Sequence, residues 1–511
     1  MTTLTRWERD LGAHLRLTVE HRQLESAGGP TLRVCQRDTD RELLRFDCFA
    51  REPHYHLDPA GRDDIVSLDP LADNMAWTIG ELRRDLVVYL EKAGFDGFSC
   101  PPDWSESQLA ETLDAAEAAM RNPPADLDGL EVKLLQSRVS EKWNTYPEAE
   151  LNAWVAEMDY PLADPIRRVL QTAVDRSDLG YPIAPNATGL REAFADRMAA
   201  RFDWPIDPQR VEILTDVVQG MYLSVEAYSR PGEGVVVHTP IYPPFFAAVR
   251  DNERSLIENE LVATPEGYAI DFDLLRESAD DRTRVVLFCN PHNPSGRVFT
   301  RRELESLGQL ACERDWIVVS DEIHQDLVYA PARHIPFATL SPEVAARTVT
   351  LTSATKAFNI PGLRTAVAHF GSAELQQRFN RAFPRGVRGG IGTLGIYCTI
   401  AAWQHSQPWL DEVHAYLDSN RQFLASYLAE HMPEIVHQSP ESTYLAWLDC
   451  RALDLSPSPA AFFLKQAAVS LSDGRRFGEP FKGFARLNFA TSRNVLSQIL
   501  DRLRDALRSK P

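Results

Sequence analysis

The chain has 511 residues and a formal net charge of -19, from 54 lysines and arginines against 73 acidic residues. This length predicts two or three domains, and a surface of that sign repels phosphate backbones, which argues against nucleic acid as a partner. Seven cysteines without a C-x-x-C pair argue against a disulfide framework or a zinc ribbon. The N-terminus is charged and no run approaches about 18 apolar residues, so we expect a cytoplasmic protein with no membrane partner.

Residues 1–125 are predicted to form an accessory α+β domain, and nothing in them indicates its role. Alternation of apolar and polar residues predicts strands, and a 3.6-residue apolar period predicts a helix after them. The predicted elements are strands at 15–20, 31–36 and 43–49 and a helix at 77–93.

Two histidines in this domain are the one pattern that suggests a metal. His54 and His56 lie two residues apart, so a strand would place them on one side. No third ligand follows at a useful spacing, although acidic residues lie nearby at positions 58, 63 and 64. We therefore predict a polar strand face and no metal.

A proline-containing run at 120–129 separates this domain from the rest of the chain. It follows a predicted helix at 106–120 that its prolines cannot continue. Strand-like and helical runs then alternate from 181 to 402, which is typical of a mostly parallel sheet with helices on both faces. We predict one region at 131–511, with a large domain at about 176–405 and a small α/β domain built from about 131–175 with 406–511.

Two predicted buried strands end in side chains that suit a ligand site. The run 284–289 leads into a turn that carries Asn293, and the run 316–320 ends at Asp321, with His324 three residues later. The carboxyl ends of strands are where an open α/β sheet binds its ligands. These side chains are therefore predicted to lie at one edge of the sheet.

An anion site is predicted beside them. A short strand at 212–215 comes shortly before the helical run 221–228, and the free N–H groups of Val217 and Val218 would point at an anion. Ser353 and Arg364 offer further groups for a phosphate.

Lys356 follows an apolar run and has Arg364 eight residues later. Desolvation and a nearby positive charge both lower the pKa of a lysine, and a lysine so placed can hold an aldehyde as a Schiff base. A Ser-x-x-Lys pattern alone also fits a surface lysine at a strand end. The functional interpretation therefore depends on the other motifs.

Taken together, the motifs resemble the signature of fold type I pyridoxal-phosphate enzymes, the aminotransferase superfamily. Further segments resemble its cystathionine β-lyase or C–S lyase branch, and the resemblance covers roughly 131–511. It implies a pyridoxal 5'-phosphate cofactor and an amino-acid substrate. The signature motifs are Asn293-Pro294-Ser295-Gly296, Asp321-Glu322-Ile323-His324 and Ser353-x-x-Lys356, and the branch segments are 154–160, 239–246, 289–294 and 486–490.

The resemblance also implies roles for single residues. Lys356 would form the Schiff base and move the Cα proton, Asp321 would pair with the pyridine nitrogen, and Tyr242 would stack on the ring. The implied catalytic residues are thus Lys356, Tyr242 and Asp321. The implied cofactor-binding residues are Val217, Val218, Gln219, Tyr242, Asn293, Asp321, His324, Ser353, Lys356, Arg364 and Tyr181.

Arg486, Tyr181 and Asn293 are implied to bind the substrate, with the guanidinium of Arg486 on its α-carboxylate. Tyr181 would reach the neighbouring subunit, which implies a homodimer with shared active sites. Without the resemblance, Arg486 also fits a solvated strand end and Tyr242 a core residue.

The branch favours β-elimination from cystathionine or another cysteine conjugate. Two departures leave the reaction open, because Asp216 stands where many relatives carry glycine and Arg364 resembles aminotransferases more than C–S lyases. The alternatives are an aminotransferase, or a specialised β- or γ-replacement enzyme of a biosynthetic pathway. A non-catalytic regulatory protein is disfavoured, since it would not need Lys356, Asp321, Asn293 and Arg486 together.

Overall fold

The computed structural model describes residues 2–23, 28–49, 51–69, 73–95, 102–121, 127–184, 187–265, 267–383 and 389–510. The chain divides into two compact units, Met1–Asp126 and Leu127–Pro511. Half of the predicted linker, residues 122–126, lies outside the described residues, because these stop at 121 and resume at 127. In the described part, no helix is long and apolar enough to cross a membrane.

The N-terminal unit is an antiparallel sheet with two helices on one face. Each strand pairs with the next along the chain, and alternate residues such as Leu17, Val34 and Phe46 share a buried core with Leu82 and Leu113 of the helices. The predicted α+β character is confirmed. The elements are β1 (Thr2–Leu11), β2 (Leu15–Gln23), β3 (Gly28–Gln36), β4 (Glu42–Asp47), β5 (His54–Leu57), β6 (Asp64–Ser67), α1 (Asn74–Lys92) and α2 (Glu106–Arg121).

The other face of this sheet carries the two histidines within a charge network. Asp47 of β4 pairs in register with His54 of β5, and its Oδ2 lies 3.2 Å from Nε2 of His54 and 3.5 Å from Nε2 of His56. Asp47 is thus the third potential ligand, which the sequence spacing does not reveal. Arg45 also contacts this carboxylate at 3.2 Å and places Nη2 2.7 Å from Nε2 of His56. A guanidinium this close disfavours a cation there, and the absence of a metal stays a prediction.

The C-terminal unit is built on a large sheet with the strand order β10-β9-β13-β14-β15-β16-β8. Its strands are β8 (Val211–Leu214), β9 (Gly234–Thr239), β10 (Ser255–Glu260), β13 (Thr283–Cys289), β14 (Ile317–Asp321), β15 (Thr348–Thr352) and β16 (Ala366–Phe370). All pairs are parallel except the two that β16 makes, with β15 and with β8. The predicted mostly parallel sheet is confirmed.

Strand β13 shows why this sheet is covered on both faces. Val285 and Leu287 belong to one apolar cluster, which includes Val225 of a helix, whereas Val286 and Phe288 belong to a second cluster on the opposite face. Side chains alternate along a strand, so an unbroken apolar run must be buried on both sides. The helices of this region are α5 (Asp164–Asp175), α6 (Leu190–Phe202), α7 (Val217–Tyr228), α8 (Pro243–Arg250), α9 (Phe272–Ser278), α10 (Arg301–Glu313), α11 (Pro342–Ala345), α12 (Ala373–Ala382) and α13 (Thr393–His405).

The remaining elements include a smaller α/β layer with the strand order β17-β18-β21-β20. Its elements are β17 (Val436–His437), β18 (Leu445–Asp449), β20 (Ser472–Asp473), β21 (Phe484–Asn488), α14 (Gln407–His431), α15 (Pro459–Ala467) and α16 (Arg493–Arg508). Two short helices, α3 (Val132–Gln136) and α4 (Glu141–Asn144), precede the large sheet. Two pairs of short strands complete the unit. The strand β7 (Leu151–Asn152) pairs with β19 (Val469–Ser470), and β11 (Val262–Thr264) pairs with β12 (Gly267–Ala269).

Candidate active site

A cavity of about 820 Å³ lies at the carboxyl ends of β13, β14 and β15. Parallel strands place their carboxyl ends at one edge, which is where ligands bind in open α/β sheets. Ten predicted site residues line it, namely Val217, Val218, Gln219, Tyr242, Asn293, Asp321, His324, Ser353, Lys356 and Arg364.

Lys356 lies in the loop after β15 and points into this cavity. Its Nζ donates a hydrogen bond to the backbone oxygen of Ala156 at 2.8 Å. Burial, followed by the positive charge of Arg486, lowers the pKa of Lys356 to about 8. The amine is therefore far easier to deprotonate than an ordinary lysine.

Asp321 is the last residue of β14 and is buried. One carboxylate oxygen accepts from the N–H of Ile323 at 3.1 Å. Burial is the main reason that the pKa of Asp321 rises to about 7, and the neighbouring Glu322 adds to it while Lys356 opposes it. A buried carboxylate whose negative charge is stabilised by so few donors suits a cationic N–H group as its partner.

Arg486 lies on β21, and only 4% of it is exposed, so it is not a solvated strand end. Nη1 donates to Oδ1 of Asn293 at 2.9 Å, and Nη2 donates to the backbone oxygen of Trp154 at 2.8 Å. Its Nε is buried without a hydrogen-bond partner among the described residues. Burial lowers the pKa of Arg486 to about 10, so the side chain stays charged at neutral pH, and its Nε is available as a donor to a ligand.

The N-terminus of α7 borders the same cavity. Asp216 caps this helix by accepting from the N–H of Gln219 at 2.7 Å, and its second oxygen accepts from Arg364. The first N–H groups of a helix, here those of Val217 and Val218, have no intrahelical acceptor and favour an anion. The carboxylate at position 216 is thus held by a cap and an arginine.

Ser353, Tyr242 and His324 complete the lining. Ser353 Oγ donates to the backbone oxygen of Thr365 at 2.6 Å, and Tyr242 directly precedes α8. His324 is buried, which lowers its pKa to about 3 and keeps the ring neutral, and its Nδ1 has no partner among the described residues.

Tyr181 is the one predicted residue that lies apart from these. Its side chain is fully exposed and borders a different cavity of about 1230 Å³. It is not among the residues that line the cavity of Lys356, although Gly362 borders both cavities.

The hydrogen bonds that fix the backbone of residues 155–157 could not be predicted from the sequence. The Ala156 oxygen that accepts from Lys356 also accepts from the hydroxyl of Tyr444 at 3.0 Å, and Asn488 Nδ2 donates to the backbone oxygens of Val155 and Glu157, each at 2.7 Å. Sequence motifs record side chains, so backbone acceptors leave no signal of this kind. Tyr444 belongs to no motif either.

Comparisons with known proteins agree with this geometry. Residues 152–503 match the family described as aminotransferase class I and II, and residues 12–119 match a domain family of unknown function, DUF7700. A putative cystathionine beta-lyase of Mycobacterium leprae is 37% identical over 75% of this chain and 98% of its own length. Cystathionine beta-lyase PatB of Bacillus subtilis is 34% identical over 72% of this chain and 96% of its own length.

A solved structure extends the similarity to the backbone. It is that of a putative PLP-dependent beta-cystathionase from Corynebacterium diphtheriae, with a TM-score of 0.71 and 32% identity. The match covers 75% of this chain and all of the other.

Proposed function

Because the chain belongs to the class I and II aminotransferase family, we propose that it is a pyridoxal-phosphate-dependent enzyme that acts on an amino acid, and that its reaction is carbon–sulfur β-elimination. The observation that carries this proposal is the shared cavity of Lys356 and Asp321, in which the pKa of the amine is about 8 and that of the carboxyl about 7. Relatives named cystathionine beta-lyase at 34% to 37% identity support the choice of reaction.

The cavity suits this cofactor at three places. The N-terminus of α7 with Arg364 and Ser353 suits the phosphate, Asp321 suits a protonated ring nitrogen, and Lys356 suits the aldehyde. The buried Nδ1 of His324, which has no partner among the described residues, also fits a polar ligand that occupies the cavity. When bound, pyridoxal phosphate supplies an aldehyde and an electron-accepting ring.

The residues of the chain then have separate tasks. Arg486 binds the α-carboxylate through its unused Nε, which fixes the orientation of the amino acid. Lys356, as a neutral amine, removes the Cα proton. Asp321 keeps the ring nitrogen protonated through its negative charge, and Tyr242 excludes water from one side of the site.

In the proposed reaction the substrate loses the Cα proton and the Cβ–S bond breaks, which releases a thiol. The remaining three-carbon enamine takes up one water and gives pyruvate and ammonia. No external oxidant or reductant is needed. The amino acid is therefore a thioether such as cystathionine or another cysteine conjugate.

The decisive experiment incubates the holoprotein with cystathionine and measures thiol and pyruvate. A parallel reaction contains an amino acid with a 2-oxo acid and is analysed for a new amino acid. Thiol and pyruvate at equal rates, both absent from Lys356→Ala, are expected. A new amino acid without thiol would instead identify an aminotransferase.

The aminotransferase alternative has one observation in its favour. Arg364 lies at the cavity beside the N-terminus of α7, where it pairs with Asp216, and an arginine at this spacing from the lysine resembles aminotransferases. A specialised β-replacement differs in that a nucleophile adds at Cβ after the elimination, and an added thiol in the first assay would detect it as a new thioether.

We also propose a homodimer with shared active sites. The exposed Tyr181, which does not line the cavity of Lys356 within one chain, supports this, because a neighbouring subunit would bring such a residue to a site. Light scattering gives the mass, and Tyr181→Phe should weaken cofactor affinity if the hydroxyl reaches the partner's phosphate group.

A further inference from the structure

A second cavity, of about 560 Å³, lies beside the turn that follows β14. Its walls come from the end of α6, from the loop 325–334 and from the first turns of α14. Asp321 and His324 line the cavity of Lys356, whereas Gln325 lines the second cavity, and the two cavities share no lining residue in the described part of the chain. The second cavity has the size of a small-molecule site, about 300–1,000 Å³.

His334 brings a buried nitrogen without a partner to this second cavity. Its side chain is 1% exposed, and its Nε2 lies 2.9 Å from Oε2 of the buried Glu322. The other oxygen of this carboxylate accepts from Ser320 Oγ at 2.8 Å and from the N–H of Phe337 at 3.0 Å. The carboxylate takes its remaining hydrogen bond from the histidine, so Nε2 carries the hydrogen and Nδ1 is left as an acceptor. Nδ1 has no hydrogen-bond partner among the described residues.

Gln325 supplies a second acceptor of the same kind. The residue is 3% exposed and lines the cavity. Its Nε2 donates to Sδ of Met198 at 3.9 Å, whereas its Oε1 is buried and has no partner among the residues that the structure describes. Buried polar atoms are nearly always paired, and an unpaired one is costly. Two residues of one cavity thus each carry an acceptor that lacks a donor, which indicates a ligand with hydrogen-bond donors.

The charged side chains of the second cavity give it an excess of positive charge. Arg201 and Arg333 are exposed, line the cavity and have no ion-pair or hydrogen-bond partner among the described residues. Of the two lining carboxylates, Asp326 is paired with Nη2 of Arg197 at 2.6 Å, and the exposed Asp411 accepts from a glutamine amide at 2.7 Å. The two unpaired arginines outnumber the one carboxylate that has no arginine partner. A ligand in this cavity therefore meets positive charge.

We propose that the second cavity binds a small oxyanion that also carries a hydroxyl group, such as a hydroxy acid or hydrogen phosphate. Arg201 and Arg333 bind its negative charge, and its hydroxyl donates to Nδ1 of His334 or to Oε1 of Gln325. A hydroxyl suits these acceptors better than an ammonium does, because the same arginines repel a cation. The site lies apart from Lys356, so its ligand does not depend on the reaction at that lysine.

Calorimetry on the holoprotein measures the affinities for two matched pairs of ligands. L-Malate differs from succinate, and hydrogen phosphate differs from sulfate, in carrying a hydroxyl that donates a hydrogen bond. We expect one or both of the hydroxyl-bearing ligands to bind roughly tenfold more tightly than the matched ligand, the effect of leaving a buried acceptor unpaired. The pair with the larger ratio distinguishes a hydroxy acid from a phosphate. Equal affinities within both pairs, or no binding of any of the four, would overturn the inference.

Arginine variants assign the binding to the second cavity. The double variant Arg201→Met with Arg333→Met removes both unpaired charges at exposed positions and should weaken binding of the preferred ligand by roughly tenfold or more. Arg302→Met with Arg314→Met removes the same charge at exposed positions outside the cavity and should leave the affinity unchanged. An affinity that is the same in both double variants would show that the anion binds elsewhere.

Two further variants test the role of the acceptors. His334→Gln keeps an N–H that can donate to Glu322 but removes Nδ1, and Gln325→Leu removes the other acceptor. One or both should bring the ratio of affinities within the preferred pair toward one. A ratio that stays at the parent's value in both variants would refute the assignment of the hydroxyl.

Arg486→Met separates the second cavity from that of Lys356. The holoprotein of this variant should bind the preferred ligand as tightly as the parent does, because Arg486 does not line the second cavity. Loss of binding would place the anion beside Lys356 and overturn the inference. Thiol release from cystathionine tests the proposed reaction separately, since these affinities are measured without an amino-acid substrate.

Discussion

The low pKa of Lys356 makes a quantitative prediction about cofactor capture by the apoprotein. An amine attacks an aldehyde only when it is neutral. With a pKa of about 8 instead of 10.5, roughly a quarter of the Lys356 side chains are neutral at pH 7.5, against about one in a thousand for an ordinary lysine. This lowering of the pKa of Lys356 corresponds to a destabilisation of the ammonium form, relative to the neutral amine, by roughly 3 kcal/mol.

The assay mixes apoprotein with pyridoxal phosphate and follows absorbance by stopped flow between pH 6 and pH 10. The sign follows from the lowered pKa, so the capture rate should rise with pH and level off above about 8. Lys356→Ala apoprotein corrects for titration of the free cofactor. A rate that still rises tenfold per pH unit at pH 9 would refute the assignment of a desolvated amine.

Arg486→Met identifies one cause of the shift. The variant removes the positive charge that acts on Lys356, so the midpoint should move to higher pH. Arg475→Met makes the same change at an exposed arginine that does not act on Lys356 and should leave the midpoint in place. Equal midpoints in both variants would mean that burial alone sets the pKa.

Three further outcomes test other parts of the site. Asp321→Asn should lower kcat/KM by a factor that corresponds to roughly 1.5 to 3 kcal/mol of lost transition-state stabilisation, the range of a charge-assisted hydrogen bond. The measured cofactor content of the variant separates this effect from loss of cofactor binding. Arg486→Lys should raise KM for amino acids, because the ammonium of a lysine lacks the fixed donor geometry of a guanidinium; an unchanged KM would place the carboxylate elsewhere. Lys142→Met leaves the buried Asp159, 2.8 Å away in the parent, without its ammonium partner and should reduce the free energy of unfolding in urea by about 3–5 kcal/mol. The exposed Arg276→Met is the matched control, with a cost below about 1 kcal/mol.

Most of the residues that line the cavity could be predicted from the sequence, because the topology of the sheet brings them together. Asn293, Asp321 and Lys356 each follow a buried apolar run, and parallel strands bring such positions to one edge. Their order along the chain was therefore enough to place them together. The roles of these residues remain predictions.

The features of the fold and of the site that could not be predicted depend on contacts that short sequence patterns do not encode. Tyr444 contacts Ala156 from 288 positions away, and the third potential metal ligand beside His54 and His56 is Asp47, which comes from another strand through the register of β4 and β5. Strand β6 was not predicted, since its two apolar residues, Ile65 and Val66, are adjacent in sequence and therefore do not alternate with polar ones.

The carbonyl that accepts from Lys356 belongs to the main chain at Ala156. Every amino acid has a backbone oxygen, so a substitution at position 156 does not remove the acceptor of this hydrogen bond. The side chain of the neighbouring Glu157, in contrast, can be replaced without removing this acceptor. Replacements in this loop can therefore change the side chains that line the cavity while the acceptor for Lys356 stays in place.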